Sequence, residues 1–430
     1  MSRQRAFLGI FVSLCLCAFG RIYVVTAQNA GTADVTFTKD VAPIAYGNCV
    51  YCHRPGEIGP FSLLTYKDAR PWAKAIKQAV VQRQMPPWLA DPHYGDFQGS
   101  RRLSDRDVQT IAAWVDGGAK EGNPADLPAP PQFADGWQIG NPDLVLTMKE
   151  PYTIPASGTI AWQTLPAQEY AFPQDTWIQA IEVRPGNRKV VHHATVGVVS
   201  PGENGSETSA GNLHLYSPGL EAMIWRDGYG KLIRKGSRVQ FGMHYNAVGT
   251  EQTDLTKVGF VFAKKPVHTE VRTTIVQNNT MLVPPMARSH EVIGAFELPV
   301  SARIHALRPH MHIRAKTGSA TVVYPDGKRK VLLHIPNWDD SWQNYSIASE
   351  PVTVPKGAFL EYVATYDNSP ANPLNPDPSK PVAWGQQVWE EMHSVYMTWT
   401  EINDKNKNDT APIQIPVNKA FTTGVLTLNK

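Results

Sequence analysis

From about residue 140 onward the chain is written in short apolar runs: "DLVLTM", "WIQAIEVRP", "VVHHATVGVV", "RVQFGMHYN", "KVGFVF", "SATVVYP" and "FLEYVATY". Pro, Gly, Asn and Asp separate them, and 35 prolines stand against 32 glycines. Runs this short, rich in Val, Ile, Thr and Tyr, predict strands between turns rather than helices. Roughly 290 residues exceed one sandwich, so two successive all-β sandwiches are expected.

The region before this is different. "YKDARPWAKAIKQAVVQRQ" has helical spacing at Trp72, Ile76, Ala79 and Val80. "LSDRDVQTIAAWVDGGAKEG" opens with Ser104 and Asp107 spaced for a capping box, predicts burial of Val108, Ile111, Ala112 and Val115, and stops at Gly117 and Gly118. The expected fold class is therefore multidomain: a small all-α domain at 35–122, a Pro-rich linker at 123–137, and the two sandwiches at 138–295 and 296–430. Hydrophobic residues at 42% and charged residues at 18% fit folded domains. A formal net charge of +3, with no basic run interleaved with aromatics, argues against nucleic acid as a partner.

The first residues carry Arg3 and Arg5, then an apolar run from Ala6 to Gly20, then small residues near Ala27. This predicts a secretory signal over 1–27 and a periplasmic or extracellular product without a stable membrane span. The alternative, an uncleaved anchor, meets a run short of the roughly 20 residues a span needs.

Export leaves two cysteines. Cys15 and Cys17 fall within the signal, and Cys49 and Cys52 stand in "NCVYCHRPGEIGPFSL". With His53 they form C-x-x-C-H, in which two thiols make thioethers to a haem and the histidine becomes an axial ligand. A thioredoxin-like pair or a zinc half-site finds no supporting βαβ pattern and no second cysteine pair. Met85 in "RQMPPW" is the candidate sixth ligand, with His93 as the alternative. Helix, haem loop, helix, methionine loop and helix together resemble a class I cytochrome c domain with one covalently attached haem c.

The polar exceptions in the β region are histidines. His192 and His193 interrupt an apolar run, and neighbours on a strand face opposite ways. They can share one metal only if the strand ends or bulges there, or if the rings use different nitrogens. His244 in "FGMHYN" supplies a third imidazole of the same region. In "LRPHMHIRAK", His310 and His312 are spaced to share a face, with Met311 directed to the core. Met392 in "VWEEMHSVYMTW" would add a thioether, a softer set suited to copper cycling through Cu(I). Taken alone, each of these residues is as well explained by packing. His214, His268, His290, His305 and His334 read as structural or surface residues, and His393 is left open beside Met392.

"VHH", "MHY", "PHMH" and "EEM" followed by a tyrosine, in that order over about 138–430, resemble the copper type II, ascorbate-dependent monooxygenases, the peptidylglycine α-hydroxylating and dopamine β-monooxygenase group. The resemblance implies two copper ions. His192, His193 and His244 would hold the electron-storing one on the first sandwich. His310, His312 and Met392 would hold the oxygen-activating one on the second, facing the first across an open cleft. It also implies hydroxylation of a C–H bond with O2, and an electron donor such as an ascorbate-like reductant, a redox protein, or here the fused haem. Arg308 and Tyr396 match positions that hold a substrate carboxylate, so a small organic or peptide-like substrate is implied. This chain departs from the pattern at Ser394, where the family has asparagine, and at His393, where it has cysteine; the family's disulfides are absent. Two other readings stay open: a non-enzymatic copper and haem electron carrier, and a zinc hydrolase, which lacks an H-E-x-x-H motif.

Overall fold

A computed structural model describes residues 34–133, 136–202, 207–220 and 222–414. The expected signal, 1–27, lies outside the described residues. Among them the chain is mostly β-sheet, with a small helical region at its N-terminal end. No helix among them is long and apolar enough to cross a membrane.

The helical region contains helices Ala42–Asn48, Tyr66–Ala69, Ala73–Val81 and Asp105–Asp116. The last begins at the expected capping box: Asp107 donates its N–H to Ser104 Oγ at 3.1 Å, and the Asp107 carboxylate accepts the Ser104 N–H at 3.3 Å. Its buried stripe is Ile111 and Trp114, whereas Val108, Ala112 and Val115 are half-buried. Trp114 sits 5.9 Å from Phe37, ring to ring, and donates its indole N–H to Lys120 O at 2.9 Å. The other expected helix is interrupted at Pro71, where a tight turn, Arg70–Trp72, separates two helical pieces. Proline removes a backbone donor and restricts the residue before it. Trp72, expected on the helical stripe, is 44% exposed and stacks on Phe61 with centres 4.5 Å apart.

Apart from two short pairs, Tyr152–Ile154 with Gln252–Asp254 and Leu282–Val283 with Val382–Ala383, the described strands form two units of two sheets each. In the first, one sheet runs Leu144–Thr147, Lys257–Phe262, Thr176–Arg184, Tyr229–Ile233 and Thr269–Glu270, with Ala222–Ile224 also paired to Thr176–Arg184. The other runs Gln163–Thr164, Arg238–Tyr245, Val191–Pro201 and Glu207–Tyr216. Ile181, Val183 and Phe260 from the former meet Val196, Phe241 and Met243 from the latter in one core. The second unit faces Arg272–Gln277, Ser394–Glu401, Ala302–His310 and Ser346–Val354 against His290–Glu297, Phe359–Tyr366, Ala315–Val323 and Arg329–Ile335. Leu307, Val395 and Met397 pack there against Ala320, Val322 and Leu360.

Three differences from expectation follow. Arg272–Gln277 and His290–Glu297 are hydrogen-bonded into the second unit, so the passage between units falls near Val271 instead of 295/296. Alternation marks a strand but not the sheet it joins. Second, Ala306, Tyr345 and Tyr396 of the second unit lie in the core of the first, so the units share apolar contact. Third, residues 88–98 leave the helical region to dock on the second unit. There Asp91 N–H donates to His334 O at 2.8 Å, Gln98 N–H to Ile347 O at 2.8 Å, and Ser349 N–H to Asp96 O at 2.9 Å.

Candidate metal and haem sites

The helix ending at Asn48 delivers the C-x-x-C-H stretch as one turn. Cys49 N–H donates to Ala45 O at 2.8 Å and His53 N–H to Cys49 O at 2.9 Å. His53 Nδ1 donates to Phe61 O at 3.0 Å, which leaves the Nε2 lone pair for a metal. Gly59 lies against this ring: a Cβ there would stand 2.7 Å from Cys52 O and 2.8 Å from His53 Nδ1. Cys49 and Cys52 are not joined in a disulfide. Desolvation, then the Cys52 charge, pushes the Cys49 thiol up to about 12, which disfavours a thiolate redox pair. These residues fit a covalently held haem ligated by His53. Met85 is half-buried in the loop after Ala73–Val81. His93 is exposed and bonded through Nδ1 to Asp91 at 2.7 Å, an arrangement that engages it away from the core.

The histidines of the first β unit converge because the strand bulges. Val191–Pro201 pairs with Arg238–Tyr245, and the register shifts between Val191 and His193, opposite Tyr245 and His244. The extra residue is His192, so two sequence neighbours face the same way. His192 Nδ1 lies 3.2 Å from His244 Nδ1 and 3.3 Å from His193 Nδ1. The three donor atoms fall within 4.8 Å of one another. No carboxylate belongs to this group. Three imidazole nitrogens at this spacing fit one ion with bonds of about 2.0–2.1 Å.

His310 ends the strand Ala302–His310 and His312 follows it. His310 Nδ1 donates to Gln343 Oε1 at 2.5 Å, so Nε2 points its lone pair to Met392 Sδ, 3.1 Å away. His312 Nδ1 donates to Glu390 O at 3.4 Å, which again frees Nε2. Met311 is fully buried and accepts the Tyr362 hydroxyl at 3.3 Å. Glu391 secures the arrangement. Completely buried, its carboxylate accepts N–H groups from His312 at 2.5 Å, Arg314 at 3.0 Å and Met392 at 2.9 Å. Its desolvation nevertheless raises its pKa to about 7.

The two sets adjoin. His193 and His310 have ring centres 5.7 Å apart, so the open cleft expected between the units is closed. A cavity of about 190 Å³ remains, walled by His193, His244, His310, His312 and Met392, together with Trp162, Asn212 and Tyr396. Desolvation, then neighbouring positive groups, lowers His192 to about 4 and His244 to about 3; desolvation, partly opposed by the backbone bond to Glu390, lowers His312 to about 4. His193 and His310 move down further for the same first reason. All five are neutral at pH 7, the form in which imidazole binds metal.

Tyr396 lines the cavity, opposite Arg308 in the strand register. Arg308 is fully buried, donates Nε to Gln343 O at 2.5 Å, and leaves both terminal nitrogens without a hydrogen-bond partner. It is not among the residues lining the cavity. Ser394 is engaged elsewhere, donating to His310 O at 3.1 Å. His393 packs on Tyr362, ring centres 5.0 Å apart. Trp162 and Gln343 were missed by the sequence reading and carried no signal there; Glu391 stood out only as a carboxylate beside Met392 in "EEM".

No protein-family model matches the chain, and neither does any curated protein. Among solved structures, the major capsid protein P2 from bacteriophage PM2 aligns with 61% of this chain and 99% of its own length, at 10% identity and a TM-score of 0.24. The VP2 subviral particle of infectious bursal disease virus aligns with 67% of this chain and 88% of its own, at 9% identity and a TM-score of 0.18. Values this low carry no argument about fold or activity.

Proposed function

We propose that the chain is an exported copper-dependent monooxygenase with a fused cytochrome c domain over 35–122, two jelly-roll-like copper domains, and an electron route through the haem. The observation that supports this is the meeting of two differently built ligand sets, three imidazoles and two imidazoles with a thioether, at one cavity. His192, His193 and His244 would hold one copper and His310, His312 and Met392 the other. Bound there, copper would supply one-electron chemistry and O2 activation for insertion of oxygen into a substrate C–H bond.

The chain's own residues set the conditions. Gln343 and the Glu390 carbonyl hold the two imidazoles with Nε2 free, and Glu391 ties the Met392 backbone to that of His312. Trp162, whose ring centre is 5.6 Å from His193, excludes water from that side. Tyr396 lines the wall, and the Arg308 guanidinium lies over the Tyr396 ring at 6.0 Å without lining the cavity itself. A cavity of about 190 Å³ is smaller than the roughly 300–1,000 Å³ of drug-sized pockets, which favours a small organic substrate over a peptide in this closed form.

The test is metal content with electron paramagnetic resonance, followed by oxygen-dependent turnover. One haem and two type 2 coppers per chain, with Met392→Ile abolishing turnover and sparing haem reduction, support the reading. Two coppers without turnover on any small C–H substrate support the rival, an electron carrier, which the closed cavity also suits. A chain that takes up no copper ends both.

A further inference from the structure

The helical region reaches the two ligand sets by unequal routes. Pro87 and Trp88, just beyond Met85, share a cavity of about 20 Å³ with Gln343 and Pro309. Gln343 is 3% exposed and held on every polar atom of its amide: Oε1 accepts a hydrogen bond from His310 Nδ1 at 2.5 Å and Nε2 donates to Asp340 O at 3.0 Å. Its backbone carbonyl accepts from Arg308 Nε at 2.5 Å and from Ser217 Oγ of the first β unit at 3.3 Å. From Met85 the path is therefore two residues of chain, the span of that small cavity and one hydrogen bond to an imidazole of the His310 set. Toward the other set, the ion pair of Glu57 and Arg188 at 3.2 Å leaves four residues to His53 (57 − 53) and four to His192 (192 − 188).

The geometry points to Gln343 as the residue through which electrons enter the metal pair, at His310 and not at the His192, His193 and His244 set. This rests on reading Cys49, Cys52, His53 and Met85 as a haem site and the two sets as copper sites. The exchange is one electron: ferrous haem iron becomes ferric, and a cupric ion at His310, His312 and Met392 becomes cuprous. No bond breaks, and no proton moves, because His310 keeps its Nδ1 proton, hydrogen-bonded to Gln343 Oε1, in both states. Entry at this end reverses the order implied by the resemblance, in which the three-imidazole site is the electron store. The second set would then fill across the contact of His193 with His310.

The experiment uses the full-length, haem-bearing, copper-loaded protein without oxygen. A photoexcited ruthenium complex reduces the haem in a flash, and the decay of the ferrous haem band is followed optically while paramagnetic resonance counts copper. The expected result is a fast decay that survives His244→Ala and disappears in His310→Ala. Gln343→Leu, loaded with both coppers at excess metal, should slow the decay by about 10- to 100-fold, the size of effect that removing a partner behind a metal ligand has on activity or metal affinity. Gln343→Glu, which preserves an acceptor for Nδ1, should restore most of the rate. A fast decay lost in His244→Ala and retained in His310→Ala overturns the proposal and assigns entry to the Glu57 side. An unchanged rate in copper-replete Gln343→Leu overturns it as well. A chain lacking haem or copper overturns the underlying site assignment, a distinct failure read from the metal count alone.

Discussion

His193 and His310, from different β units and 117 positions apart (310 − 193), face each other with ring centres 5.7 Å apart and edges meeting at 75°. Metals held by the two sets would be near neighbours. Copper-loaded protein should show dipolar broadening of its paramagnetic resonance signal, lost when His244→Ala empties one set. Two sharp, independent type 2 signals in the fully loaded protein would mean that the units part in solution.

Glu391 accepts three backbone N–H groups that join the His312 and Met392 segments. Glu391→Ala strands those donors in the core, where each unsatisfied group costs about 1–3 kcal/mol. A stability loss of about 3 kcal/mol or more is expected, together with loss of one copper. Glu391→Gln, with one acceptor oxygen kept, should fall between the two. Chemical denaturation and metal counting read both effects, and a neutral Glu391→Ala would refute the role.

Gly59 approaches His53 and Cys52 too closely for a side chain. Because the nearest atoms are a backbone oxygen and the anchored ring, Gly59→Ala must push His53 away from Phe61. Incorporation of covalent haem, measured by stained gel and absorbance per chain, should drop severalfold, with the β units intact by circular dichroism.

Lys231 is buried, with Nζ donating to Thr273 Oγ1 at 2.7 Å and Asn212 O at 3.2 Å, and desolvation lowers it to about 8. The unfolded chain keeps this proton to about pH 10.4. Between about 8 and 10 the unfolded state thus binds more protons, and this residue's contribution to stability rises with pH. Below 8 the buried charge costs about 3 kcal/mol. Lys231→Met should therefore be more stable than the parent near pH 7, with the gap narrowing toward pH 10. A gap independent of pH would place the proton elsewhere.

Local signals were readable where their cause is local. The capping box of Ser104 and Asp107 and the inward course of Met311 need only a few neighbouring residues. The bulge that aligns His192 with His193 was legible only as a condition, since a pair of adjacent histidines does not encode where a strand slips. Gln343 gave no signal because its partners, His310, Arg308 and Ser217, come from distant parts of the chain. The same is true of the sheet membership of Arg272–Gln277 and of the closed cleft, both decided by pairing and packing between segments far apart in sequence. Trp114 was overlooked for a different reason: two residues on one helical face look alike until a partner, here Phe37, fixes which is covered.

The docking of residues 88–98 sets a timetable for maturation. Gln98 meets Ala348 across 250 residues. At a synthesis rate of about 5–20 residues per second, its partner emerges roughly 12–50 s later. For that interval residues 88–98 have no strand to lie on, and the helical region stands without its tie to the second β unit.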